Sequence, residues 1–150
     1  MRGQTGLYMV PSNVKINGKG FIDRVLKPLF KIDVPRLYPG EERKVILHMD
    51  AASAHFSKPV LKWLKENKIT YIPKQDWPSH SPDLSPMDFG VNGMFKARKI
   101  ASTVKQLVKV AKAEWKRIEL FKIQKTLRAW AKRVDFVKEE KGFRTEHFRV

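Results

Sequence analysis

The residues best suited to chemistry are two aspartates: Asp50 in "KVILHMDAASAH" and Asp88 in "SHSPDLSPMDFG", with 37 residues between them. Asp50 closes an apolar run, and Asp88 sits just inside what reads as a helix start. Two carboxylates so placed can form a site for a divalent cation, whose preference for oxygen ligands they suit. They can equally be a strand end and a helix cap that happen to be acidic. "SPMD" offers Ser85 as an N-cap, Pro86 at the first helical position and Asp88 at the third. An acid there is stabilised simply by facing the positive end of the helix. On spacing alone both readings stand.

Either role needs elements that hold the aspartates in place. "KVILHMD" (Lys44–Asp50) has the length and continuous apolar character of a strand buried on both faces of a parallel sheet. Sites in α/β folds gather at the C-terminal ends of such strands, where Asp50 falls. "SKPVLKWLKENK" (Ser57–Lys68) follows as an amphipathic helix, with Ser57 to cap it and Val60, Leu61 and Leu64 in one stripe. "ITYIP" (Ile69–Pro73) is another short strand. Upstream, "GLYMV" (Gly6–Val10) reads as a strand closed by Pro11. "NGKGFIDRVLKPLFKI" then sets Phe21, Ile22, Val25, Leu26, Leu29 and Phe30 at helical spacing, with Pro28 a kink or a break. "VPRLYPGEER" reads as a turn region. After the proline-punctuated loop "PKQDWPSHSPDLSP" the chain is helical: from near Ser85, over Val104–Ile118, and over Lys122–Glu140, where Leu127, Trp130, Val134 and Val137 share a face. This alternation predicts an α/β domain with parallel strands. The 150 residues suffice for one domain.

Charge narrows the partner. There are 31 Lys and Arg against 15 Asp and Glu, a net +16. The excess is uneven: the stretch from Lys96 to Val150 carries +11, and the first 95 residues +5. A basic excess gathered in one third of a chain suits a polyanion, most simply nucleic acid, although a solvated lysine-rich helical face has the same composition. Lys96, Arg98, Lys99, Lys105 and Lys109 are the candidate phosphate contacts. No apolar run is long enough to span a membrane, and "MRGQTGLYMVPSN" lacks the apolar core of a secretory signal. With no cysteine, disulfide scaffolds and thiolate metal sites are excluded.

"MDAASAH", "YIPK…SPDLSPMDFG" and "LRAWAKRVDFVKEEKG" together resemble the catalytic domain of mariner-like transposases, of the DDE/D superfamily of endonucleases. The resemblance runs in order from about Gly6 onward, and its most specific part is the proline-rich "SPDLSPMD". It implies an RNase H-like α/β fold and makes Asp50 and Asp88 the second and third members of a three-carboxylate metal triad, in the branch that ends in Asp. The cofactor implied is Mg²⁺ or Mn²⁺, the partner DNA with no small-molecule substrate, and the location the nucleus. In such enzymes strand cleavage and transfer are in-line displacements at phosphorus, with two metal ions stabilising the attacking and leaving oxygens. Asp83, within "SPDL", belongs to the signature as a turn residue. Ala51 stands where the family often has Asn. His55 matches a trailing His, which is as readily a polar loop residue.

The resemblance also implies a first Asp on a strand upstream of "GLYMV". Neither Asp23, in the amphipathic helical stretch, nor Asp33, next to a turn, ends an apolar strand. The implied sheet order is 3-2-1-4-5, so the expectation is an incomplete sheet lacking its first two strands. It carries an open edge beside Lys44–Met49 that either pairs with Gly6–Val10 or stays bare and favours self-association. The leading functional expectation is a transposase catalytic-domain remnant that binds DNA without cutting it. The alternatives are a non-enzymatic basic DNA- or RNA-binding module, and a helical interaction module that docks through Trp115, Trp130 and the C-terminal apolar stripe. Core packing is the plainer role for those tryptophans.

Overall fold

Asn17 starts the first helix by accepting a hydrogen bond from the Gly20 N–H at 2.8 Å. Helix α1 occupies residues 18–37 of a computed structural model that describes residues 2–11, 13–76, 81–82, 84–94 and 102–140. Its ends, Gly18–Phe21 and Val34–Leu37, are α-helical, and between them lie π turns at Ile22–Leu26 and Leu29–Asp33. Pro28 therefore neither breaks the helix nor ends it. Proline has no N–H for the i−4 carbonyl and its ring crowds that oxygen. The wider turns on either side let Lys27 donate to Ile22 and Val34 to Leu29, so the ladder is carried past the proline. The expected turn region at Val34–Arg43 is corrected at its start, since Val34–Leu37 continue the helix. The turn comes after it, where Gly40 adopts φ +76°, a left-handed conformation that favours glycine.

Gly6–Val10 is not a strand. The Gly6 N–H donates to Asp33 Oδ2 at 2.7 Å instead of to a sheet, and the Tyr8 hydroxyl donates to the same oxygen. Arg36 Nη2 reaches both Asp33 Oδ1 (2.7 Å) and the Gln4 carbonyl (2.8 Å). Asp33, buried on α1, thus straps the N-terminal segment to the helix. Burial pushes its carboxyl up, but the hydrogen bonds from Arg36, Tyr8 and Gly6 outweigh this and hold it below the ordinary aspartate value. Burial, then the bond to Asp33, pushes the Tyr8 phenol up.

Strands β1 (Ile46–Leu47) and β2 (Thr70–Tyr71) pair in parallel, Ile46 opposite Thr70 and Leu47 opposite Tyr71, and helix α2 (Lys58–Glu66) makes the crossover between them. The parallel α/β alternation is present, but β1 is shorter than Lys44–Asp50 and is not buried on both faces. Ile46 is 60% exposed, whereas Met49 beyond the strand is buried. A strand is covered on both faces only where neighbours widen the sheet and helices lie on each side. Among the described residues β1 has one partner. The core of this region is Phe21, Ile22 and Leu26 of α1, Met49, and Val60 and Leu64 of α2. Leu26, Val60 and Leu64 are fully buried, each stabilising the fold by about 1.5–3 kcal/mol.

The chain divides into two compact units, the one just described up to Ser79 and a second from His80. In the second, helix α3 (residues 86–94) opens with a π turn at Met87–Val91 and closes with Asn92–Met94. Helix α4 (Val104–Arg117) starts at Thr103, whose hydroxyl accepts from the Gln106 N–H at 3.2 Å. Helix α5 (Leu120–Glu139) follows once Ile118 has left helical geometry. Val91, Ile118 and Ile123 form its buried core, with Met94, Trp115 and Leu127 packed around them. On α5 the buried residues are Ile123 and Thr126, while Leu127, Trp130, Val134 and Val137 are half-buried. No helix among the described residues is long and apolar enough to cross a membrane.

Candidate functional site

Asp50 lies three residues past β1, in the connection to α2, with its side chain 76% exposed. The carboxylate is nevertheless held. Oδ1 accepts from the Ala52 N–H at 3.2 Å, an Asx turn, and His55 Nδ1 stands 2.6 Å from the same oxygen. That nitrogen is buried and makes no hydrogen bond among the described residues. The His55 ring stacks on Phe21 of α1, ring centroids 4.1 Å apart, and its backbone N–H donates to the Ala52 carbonyl at 3.0 Å. Ser57 is the residue before α2, as expected, but its hydroxyl donates to the Ala54 carbonyl and does not cap the helix.

Asp88 lies in the first turn of α3, its N–H donating to the Ser85 carbonyl at 2.9 Å. Its Oδ1 accepts from the Asn92 amide at 3.1 Å, one turn on, and the residue is exposed. The two residues after it fasten α3 to α5. The Arg133 guanidinium lies 4.2 Å from the centre of the Phe89 ring, a cation–π contact. Gly90 rests so close to Thr126 that a β-carbon there would overlap the threonine side chain. "DFG" is therefore an exposed acid followed by two packing residues.

Asp50 belongs to the first compact unit and Asp88 to the second. Among the described residues no three or more His, Asp or Glu side chains gather as a metal-binding group. The other acids raised by the sequence have different employment: Asp23 is exposed on α1 and pairs with Lys27 at 2.6 Å, a hydrogen bond that lowers its pKa, and Asp33 is the buried strap. Asp83 lies outside the described residues. Asp50 is exposed, and among the described residues its recorded partners meet Oδ1.

Of the candidate phosphate contacts, Lys96, Arg98 and Lys99 lie outside the described residues, while Lys105 and Lys109 are exposed on α4. They are the first half of a longer row. Lys112 and Lys116 follow at the same 4-3-4 spacing, also exposed, so four ammonium groups share one face over about 16 Å. The spacing was readable in the sequence, but only the helix bounds show that all four belong to one helix. On α5, Lys125, Arg128 and Lys132 make a second exposed row at i, i+3 and i+7. Trp115 packs on the buried core of this unit.

No family model matches this chain. Over 107 residues, 70% of its length, it is 27% identical to the Tcb1 transposase of a transposable element from Caenorhabditis briggsae. The match spans 38% of that protein. This similarity supports a transposase-related family for the chain.

Proposed function

We propose that these 150 residues correspond to part of the catalytic region of a mariner-like DDE/D transposase with an RNase H-like fold, and that they bind DNA in the nucleus. The observation that carries this is the similarity to a transposase over 70% of the chain. In this reading Asp50 and Asp88 are the second and third carboxylates of the triad, presenting oxygen ligands from the connection after β1 and from the first turn of α3. A Mg²⁺ or Mn²⁺ pair, when bound, supplies charge stabilisation to an in-line displacement at phosphorus. The lysine row of α4 neutralises backbone phosphates, which contributes affinity without sequence preference.

Binding and cutting separate here. Asp50 and Asp88 are two of the three carboxylates that the family resemblance requires. Magnesium gives up its waters reluctantly, so two carboxylates hold one ion loosely and a second hardly at all. Each tenfold of rate is about 1.4 kcal/mol of barrier, and losing one ion's stabilisation costs several times that. The 150-residue chain should therefore bind duplex DNA and not nick it. The test is a plasmid-nicking assay with Mg²⁺ and Mn²⁺, comparing the chain with Asp50→Ala and Asp88→Ala. Metal-dependent nicking abolished by both substitutions would overturn the inactivity and leave the site assignment standing. A chain that fails to bind duplex DNA at low salt would overturn the reading itself. The lysine row also supports a second reading, a non-enzymatic basic DNA- or RNA-binding module. Metal binding that depends on Asp50 and Asp88 would argue against it.

A further inference from the structure

Building on the reading of this chain as DNA-binding, we propose that the solvent face of α5 takes single-stranded DNA. Phe121 stacks on an unpaired base, and Lys125, Arg128 and Lys132 hold the neighbouring phosphates. At 100° per residue Phe121 stands about 160° round α5 from Ile123, which is buried, so the helix that buries one exposes the other. Phe121 is 59% exposed, and Leu120 beside it 39%. The same geometry sets Phe121, Lys125, Arg128 and Lys132 within an arc of about 60°, along about 16 Å of helix. All four are exposed, and the acids on that side of α5, Asp135 and Glu139, come only after Lys132. The ring is displayed from a fixed turn. Lys122 and Ile123 donate their N–H groups to the Glu119 carbonyl at 3.0 and 3.4 Å, and Ile118 and Ile123 are buried on either side. Lys122 Nζ lies 5.8 Å from the centre of the ring and adds positive charge beside it. A row of cations tracks a phosphate backbone, and an exposed aromatic ring gains from any base whose face is free. In a perfect duplex those faces are taken up by stacked neighbours, so only an unpaired base can meet Phe121. A second copy of this chain would bring like charges together on the same face.

The experiment measures binding of the 150-residue chain to a labelled oligothymidylate and to a perfect duplex, by fluorescence anisotropy over a salt series. Circular dichroism is the control for folding. Phe121→Ala should weaken oligothymidylate binding about 5–150-fold, the range for one stacked base, at an unchanged salt slope. It should leave duplex binding as it was. Phe121→Trp should keep the affinity, and Phe121→Leu, apolar but without a ring, should lose it. Replacing Lys125, Arg128 and Lys132 with glutamine should lower the oligothymidylate slope by up to about 2.1, at about 0.7 per phosphate on a single strand. Oligothymidylate binding that Phe121→Ala or Phe121→Leu retains in full would overturn the proposal, as would an equal loss for single strand and duplex. A parent chain that binds duplex but not oligothymidylate would overturn the proposal alone. A parent that binds neither would overturn the DNA-binding reading and this proposal with it.

Discussion

Replacing Lys105, Lys109, Lys112 and Lys116 together with glutamine should flatten the salt dependence of DNA binding, by an amount the helix geometry limits. At 100° per residue these four positions fall within an arc of about 60°, and they span about 16 Å of helix. Duplex DNA carries about ten phosphate charges over that length, counting both strands. Four lysines on one face can neutralise at most four of them. Each phosphate neutralised contributes about 0.9 to the slope of log K against log salt. The substitution should then lower the slope by up to about 3.6, removing up to about 150-fold of the affinity lost between 50 and 200 mM salt. Glutamine and lysine have nearly the same helix propensity, so α4 should persist. The assay is fluorescence anisotropy with an arbitrary duplex over that salt range, with circular dichroism as the control for helix. An unchanged slope in a folded variant would refute the assignment of this face. Strong preference of the parent chain for one short sequence would refute the backbone-contact argument as a whole.

Three further outcomes follow from the packing. Asp33 has its folded pKa held below its unfolded value of about 3.9, so its contribution is present above pH 4 and lost as pH falls through the lower folded value. Asp33→Asn should cost about 2–3 kcal/mol at pH 7, less than a fully buried pair because Arg36 is half in solvent, and should melt with less acid sensitivity; thermal melts of both chains at pH 7 and pH 3 that superimpose would contradict this. Gly90→Ala should destabilise by about 1 kcal/mol, since crowding against Thr126 exceeds the gain in helix propensity. In a Thr126→Ala background the same change should become neutral or stabilising, and additive effects in denaturant titrations would dismiss the contact. Ile46, 60% exposed on a strand with one partner among the described residues, should promote self-association, so Ile46→Lys should shift sedimentation toward monomer, and a parent chain already monomeric at high concentration would count against it.

What could be read from the sequence was what local patterns encode. Helix α2 follows from Val60 and Leu64 four apart, and α4 and α5 lie within two residues of their expected starts. The parallel pairing of β1 and β2 also follows, because a helix separates two apolar runs. Their extent does not, since a strand is as long as its neighbours allow and Ile46 is largely exposed. Gly6–Val10 reads as a strand by composition, yet its Gly6 N–H goes to a carboxylate 27 residues away, and no window of sequence contains that competition. Pro28 obeys the rule that proline disturbs a helix, and the π turns on either side carry the hydrogen-bond ladder past it.

The candidate site divides along the same line. The helix start at Asp88 is a local feature and is found, whereas Asp50, expected to close a strand, lies three residues past β1. Their own hydrogen bonds are local, from Ala52 and Asn92, but the packing of their neighbours is not: Phe21 of α1 lies against His55, and Thr126 and Arg133 of α5 lie against Gly90 and Phe89. His55 shows the difference most clearly. Five residues from Asp50 it fits neither helical nor strand periodicity, so the sequence offers it as a match to the family's trailing His and, as readily, as a polar loop residue. The Ala52–His55 turn brings its Nδ1 within 2.6 Å of Asp50 Oδ1, while its ring lies against Phe21. Substitutions at the aspartates and at their supports should therefore differ in kind. Asp50→Asn leaves the Ala52 N–H an oxygen to donate to, whereas His55→Phe keeps a ring beside Phe21 and removes the nitrogen next to the carboxylate.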